Sequence, residues 1–246
     1  MITVLFALVV GFAVCQLATL ATTIFLHRTL SHRALSMKPW LRFLFRCLVW
    51  ITVGIRPRQW VAVHRKHHAF TDVDGDPHSP RLLGWVTVQF GNVALYRKVA
   101  NDPEQVRRYA RDLPADRWDR VLFDHSWLGL AIGITFLVVV FGPLVGLLAA
   151  AFHTVLYLML NAAVNAITHT FGSRPNGNTA TNLQWLALLT LGEGLHNNHH
   201  AAPTSAKFSL NRREIDLGWP LIALGQKLGW VTVRHDGAKL KQPAAV

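Results

Sequence analysis

Residues 1–26 contain no charged side chain, and that single feature limits the folds open to this chain. A helix of that length, at about 1.5 Å per residue, crosses the ~30 Å hydrocarbon core of a bilayer once. The stretch lacks the basic start and small-residue cleavage site of a signal peptide and runs straight into His27. It reads as a retained span over residues 2–26. Two further apolar segments, 127–142 and 144–168, meet at Gly142-Pro143 with almost no polar residue between them, the pattern of an out-and-back hairpin.

Residues 39–55 are apolar but carry Arg42 and Arg46 on one helical face. Each arginine would cost about 2.5–3.5 kcal/mol at the centre of a span. At the interface both can snorkel, so this segment is expected to lie on the membrane. Residues 56–120 are polar, basic and rich in turn signals such as Asp74-Gly75, as a cytoplasmic surface is. With both ends of the hairpin on that side, His27 joins them when Met1 starts outside. The expectation is a single all-α domain over residues 1–246, an integral-membrane helical bundle of three or four spans, ending in a basic tail around Lys239 and Lys241.

The composition agrees: 15% of residues are charged, against about 25% in soluble domains. The 25 Lys and Arg against 13 Asp and Glu fit a positive-inside face meeting anionic headgroups. No nucleic-acid recognition motif accompanies them, so nucleic acid is excluded as a partner. Cys15 and Cys47 form no CxxC and lie in apolar segments, which leaves no thiolate metal site.

Nine of the 13 histidines fall into four groups. His27 and His32 form an HxxxxH. His64, His67 and His68 form an HxxHH, and His196, His199 and His200 form a second. Asn165 and His169 form an NxxxH. On a helix, positions i, i+3 and i+4 share a face, so each HxxHH is expected to aim three imidazoles at one point. His27 and His32 converge only where the helix ends or loosens. The groups lie at span ends or in polar segments on one side. Nine imidazoles exceed what one four-coordinate zinc uses, whereas two metal ions absorb them all, with Asn165 as a weaker ligand.

The carboxylates exclude one rival. Soluble di-iron bundles need two Glu and two Glu-x-x-His motifs, and this chain has only Glu104, Glu193 and Glu214, of which Glu193 alone makes an ExxH. A membrane metal transporter would hold ionisable ligands near the bilayer midplane, not at span ends. Asp72, Asp74 and Asp76 lack the twelfth-position glutamate of a calcium loop and read as a turn. His153, inside an apolar span, is expected to make an interhelical hydrogen bond, and His125 and His235 to lie at the surface. His78 is expected to orient a metal ligand from outside the coordination sphere.

At these residues the sequence resembles the membrane fatty acyl desaturases of the stearoyl-CoA type, including prokaryotic delta-9 members. HRTLSH (27–32), HRKHH (64–68), NAITH (165–169) and GEGLHNNHH (192–200) are similar to that family's ligand elements, in order. DPHSP (76–80) and REIDLGW (213–219) add to the match. The resemblance implies a helical membrane stem under a cytosolic helical cap, with two irons between them. The nine histidines would be direct ligands and Asn165 would act through water. It places Trp60 near the bend of an acyl tunnel and sets Arg97 and Lys98 against coenzyme A phosphates. A solvated basic turn explains Arg97 and Lys98 equally well. The family has two spans before its first histidine box. Here 26 residues precede it, as in a shorter three-span form or a start internal to a longer chain.

An unactivated methylene has no acidic proton, so desaturation needs a redox metal and O2. The expected cofactors are two Fe2+ ions, which zinc could replace in a purified sample. No GxGxxG at a strand-to-helix turn and no CxxCH accompanies the boxes, so a separate reductase, ferredoxin or small haem protein must supply electrons. The expected substrate is a long saturated acyl chain, carried as acyl-CoA, in contact with membrane lipid. The expected location is a prokaryotic plasma membrane, with the site facing the cytoplasm. A di-iron hydroxylase or ketolase is the nearest alternative, since it uses a similar site and leaves oxygen in the product.

Overall fold

Helix α1 (Ile2–Ala21) does not stop where its apolar run ends but continues as a π-helix through Thr22–Ser31. The computed structural model describes residues 1–237, so the basic tail at Lys239 and Lys241 lies outside the described residues. After the π-helical segment come β1 (Leu35–Met37), α2 (Pro39–Val53) and α3 (Pro57–Ala69). Next are the single turn α4 (Pro80–Leu83), α5 (Trp85–Ala100) and α6 (Pro103–Tyr109). A short π-helix, Asp119–Phe123, leads into α7 (Ser126–Phe141) and α8 (Pro143–Ala166). The chain closes with α9 (Gln184–Leu189), α10 (His196–Ala201), α11 (Gly218–Lys227) and β2 (Val231–Val233).

Helices α1, α2, α7 and α8 pack as the stem. Backbones approach closely where the sequence supplies glycine: a Cβ on Gly133 of α7 would fall 2.1 Å from the Ile51 carbonyl of α2, and one on Gly11 of α1 2.6 Å from that of Ala149 on α8. Such small-residue contacts are how helices associate where no hydrophobic force drives them together. The outward faces of α1, α7 and α8 expose Leu5, Val9, Phe136, Val139 and Leu147, an apolar exterior suited to lipid. Gly142, at φ +82°, makes the whole α7–α8 connection, as the hairpin reading requires.

Two expectations need adjusting. Helices Ile2–Ser31 and Pro143–Ala166 are long and apolar enough to span, but α7, at 16 residues or about 24 Å, is shorter than the usual ~30 Å. The fold is also not purely helical, because β1 and β2 pair antiparallel, Leu35 opposite Val233. This ribbon ties Val231–Val233 to the turn after the first histidine group. No alternating apolar run announces it; three residues a side are too few for one.

In α2, Arg46 pairs with Asp116 and Asp119. Arg42 is exposed, and Trp40 stands edge-to-face against Trp230 at 5.3 Å. Those features suit an interfacial helix. His153 Nε2 donates to the Thr52 carbonyl at 2.8 Å, the interhelical bond foreseen for it, while His125 and His235 are exposed.

Candidate metal centre

Three histidine groups hang on helical segments of different kinds. The HxxHH of α3 sits in its last two turns, and that of α10 occupies a six-residue helix entered through Leu191 (φ +52°) and Gly192 (φ +108°). His27 and His32 belong to the π-helical segment and its end, where the His32 N–H donates to the His27 carbonyl at 3.1 Å, an i to i+5 bond. Wider turns bring residues five apart onto one side, and the two rings lie 4.9 Å apart. The loosening demanded by the HxxxxH spacing is present. His169 follows α8 within a turn and faces α10.

The rings gather into two clusters. His27, His32, His64, His68 and His199 form one, and His67, His169, His196 and His200 the other, with ligand atoms in each within 4.8 Å of one another. In the first, Nε2 of His199 lies 3.1 Å from that of His27 and 2.9 Å from that of His68, and His32 and His64 approach to 2.7 Å. In the second, Nε2 of His200 lies 3.1 Å from that of His196 and 3.4 Å from that of His67. This corrects the reading that each HxxHH serves one point: each divides, its i and i+4 members going to one cluster and its i+3 member to the other.

Carboxylates outside the clusters fix the tautomers. His27 Nδ1 donates to Glu193 at 2.7 Å, His67 Nδ1 to Asp76 at 3.0 Å and His169 Nδ1 to Asp72 at 2.7 Å. With the proton held on Nδ1, each Nε2 presents a bare lone pair to its cluster. His169 Nε2 has no hydrogen-bond partner although it is buried. Lone pairs converging among largely buried rings are unfavourable without a cation among them, so the donor set fits a metal ion in each cluster.

Burial and then the nearby imidazoles push His64, His68, His196, His199 and His200 well below the usual histidine range. They stand ready as neutral ligands. For Asp72, Asp76 and Glu193 burial works upward, but the facing histidines outweigh it and hold all three below the usual carboxylate range.

The Asp72–Asp76 turn therefore does more than reverse the chain. Asp72 adopts φ +61°, its N–H donates to Asp76 at 2.8 Å, and Ser79 Oγ donates to Asp72 at 2.7 Å. Next to His78, for which an orienting role is expected, Asp76 makes the hydrogen bond to His67, and the three side chains form one group. His78 gives Asp76 only its backbone N–H at 3.0 Å, and both its ring nitrogens lack partners, 4.8 Å ring to ring from His67. Burial, followed by His67, pushes the His78 imidazole down to about 3. The outer carboxylates escaped sequence reasoning because Asp-x-Asp-x-Asp spells a turn equally well; only their position after an HxxHH hinted at more.

A cavity of about 400 Å³ opens onto both clusters, with His27, His64 and His196 in its wall. Trp60 stacks on His64 at 4.9 Å and 13° and lies edge-on to His27 at 6.0 Å. Asn165, Asn161 and Tyr157 of α8 line one side, and exposed Arg56 and Arg97 stand at the mouth. Lys98 is exposed and takes no part in the wall.

Residues of the REIDLGW segment brace this site. Asp216 pairs with Arg28 at 2.9 Å, both side chains wholly buried, and the Arg28 guanidinium lies 3.9 Å over Phe208. Glu214 accepts from Asn198 at 2.8 Å, inside the last histidine group.

An apolar helical stem carrying two adjoining all-histidine clusters beside an open-mouthed cavity defines a membrane-associated protein whose donor set fits metal ions. The fatty acid desaturase profile matches residues 3–212. Delta-9 desaturase-like 2 protein of Arabidopsis thaliana is 34% identical over 228 residues, 90% of this chain and 74% of its own. Delta-9 acyl-lipid desaturase 1 of the same plant is 31% identical over 237 residues, 92% and 74% of the two chains. Acyl-CoA C20 Delta5-desaturase of Anemone leveillei is 33% identical over 230 residues, 90% and 70%. The chain belongs to the fatty acid desaturase family. It is an oxidoreductase, an acyl desaturase.

Proposed function

We propose that this enzyme uses O2 and two iron ions to insert a cis double bond, at the delta-9 position, into a long saturated acyl chain carried by coenzyme A. The observation that supports the reading is the cavity wall: histidines of both clusters face one space whose mouth holds Arg56 and Arg97. His27, His32, His64, His68 and His199 would hold one iron, and His67, His169, His196 and His200 the other, with Asn165 beside them acting through water. When bound, the iron pair supplies O2 activation and the removal of hydrogen from two adjacent carbons.

The chain's own residues do the rest. Trp60 and Val63 give the methylenes an apolar surface next to the ligands and exclude water. Glu193, Asp76 and Asp72 keep the Nδ1 protons in place throughout. Arg97, with Lys98 beyond it, meets the phosphates of the carrier, and the distance from that anchor to the clusters sets which carbon is oxidised. The stoichiometry takes two hydrogens from the chain and two electrons and two protons from outside, reducing O2 to two waters. A separate electron donor provides the electrons. The site faces the cytoplasm, with α1, α7 and α8 crossing the membrane.

The relatives' names divide between acyl-lipid and acyl-CoA substrates and between delta-9 and delta-5 positions. The exposed arginines at the mouth favour the polyanionic carrier. The test is expression in a host lacking unsaturated lipids, with mass spectrometry to locate any new alkene and metal analysis of the purified protein. A delta-9 cis alkene and two irons per chain are expected. An oxygen atom retained in the product, or iron below two per chain in active enzyme, overturns the reading.

A further inference from the structure

Outside the desaturation site, two hollows of about 290 Å³ and 470 Å³ meet along Leu30, Arg42, Asp112 and Leu113. The larger is floored by Phe25, Leu30 and Phe43, and Phe25 and Leu30 belong to the π-helical segment that carries His27. Its three carboxylates are already matched. Asp112 holds Arg33 and Arg65, while Asp116 and Asp119 hold Arg46. Arg42 and Arg58 in the larger hollow, and Arg42 and Arg234 in the smaller, have no carboxylate partner among the described residues. Arg58 Nε is buried without any hydrogen-bond partner. Trp118 lines the groove, and the Trp40–Trp230 pair stands where α2 meets β2, aromatic residues of the kind found at membrane interfaces.

The geometry points to a binding site for one anionic phospholipid, its phosphate between Arg42 and Arg58 and one acyl chain on the Phe25–Leu30–Phe43 floor. Guanidinium groups match phosphate oxygens in pairs, and basic pockets between membrane helices hold anionic headgroups. A zwitterionic lipid would bring its own ammonium beside the arginines, and free phosphate would leave the apolar floor uncovered. The inference rests on the membrane reading of the stem, and goes beyond the proposed reaction.

The test uses the full chain in detergent, titrated with phosphatidylglycerol, phosphatidylcholine or inorganic phosphate, with native mass spectrometry and thermal unfolding as readouts. Phosphatidylglycerol should be retained as a single adduct and raise the melting temperature, and the other two should do neither. Replacing both Arg42→Ala and Arg58→Ala should weaken phosphatidylglycerol binding about tenfold or more. Arg81→Ala, on exposed α4, should leave it unchanged. In the unmodified chain, a photoreactive phosphatidylglycerol should crosslink to peptides containing Phe43 or Leu113, which keeps the test decisive if the double variant does not fold. Equal effects of the two lipids, a shift reproduced by phosphate alone, or crosslinks confined elsewhere overturn the proposal. A chain that stays soluble without detergent defeats the membrane reading itself.

Discussion

His64 and His67, three residues apart on α3, belong to different clusters, with ring centroids 6.5 Å apart. His196 and His199 on α10 divide in the same way. Each HxxHH thus bridges both sites, and the loss of one imidazole has an address. His64→Ala should empty the first cluster and His67→Ala the second, each lowering bound metal from two toward one per chain. Both should abolish alkene formation. Metal analysis of the two variants checks this, and loss of both ions from each would show the clusters to be one cooperative site.

The outer carboxylates should matter nearly as much as the ligands. Asp76→Asn and Glu193→Gln keep shape but weaken the acceptors for His67 and His27. Partners of this kind are worth about 10–100-fold in metal affinity. Competition with a coloured chelator measures it, and affinity equal to that of the unmodified protein would mean the tautomers are fixed by the metal alone.

The division of the boxes was available in principle from helix geometry. At about 100° per residue, position i+4 falls about 40° to one side of i and i+3 about 60° to the other. Treating the three as one face merged two directions that two neighbouring ions can separate. The HxxxxH spacing, by contrast, demanded an irregular helix, and the π-helical turn supplied it. Apolar runs located the stem and the hairpin, because long apolar helices leave a long compositional trace. Asp216 and Arg28 left none: two charged residues 188 positions apart carry no local signal of a shared interior.

That pair makes a stability prediction. Asp216→Asn leaves the Arg28 charge buried and unmatched, at a cost of about 3–5 kcal/mol. Phe208, beneath the guanidinium, lies 5.0 Å ring to ring from His199, so the damage should reach the first cluster. Replacing both, Arg28→Met with Asp216→Leu, should unfold at a higher temperature than Asp216→Asn alone. Thermal unfolding in detergent ranks them, and the reverse order would mean the pair contributes more than its own neutralisation.

The metal-free protein should weaken in mild acid. Burial and then neighbouring imidazoles hold His64, His68, His196, His199 and His200 far below their unfolded value near 6.5. Below that pH the unfolded chain takes up protons that the folded chain refuses. Stability is therefore whole above about pH 6.5 and falls beneath it, by up to about 1.4 kcal/mol per pH unit for each histidine. The depressed carboxylates Asp72 and Asp76 add a second loss only at lower pH, as their own folded values are approached. Denaturant titrations of chelated protein between about pH 7.5 and 5 read the slope, and a flat profile would contradict the burial of these rings.

Tyr96 bears on where the double bond is placed. It lines the cavity next to Arg97, yet its hydroxyl is buried without a partner. Burial pushes the phenol up, so it remains a donor at any working pH. The one oxygen an acyl thioester brings into that space is its carbonyl, and a hydrogen bond to it would fix how many carbons separate the head from the clusters. Tyr96→Phe should then raise KM about five- to tenfold, the worth of a bond of about 1–1.4 kcal/mol, with little change in kcat. It should also spread the alkene over neighbouring positions, since the chain could slide. Kinetics together with mass-spectrometric location of the double bond separate the two effects, and an unchanged KM with a single product position would place the carbonyl elsewhere.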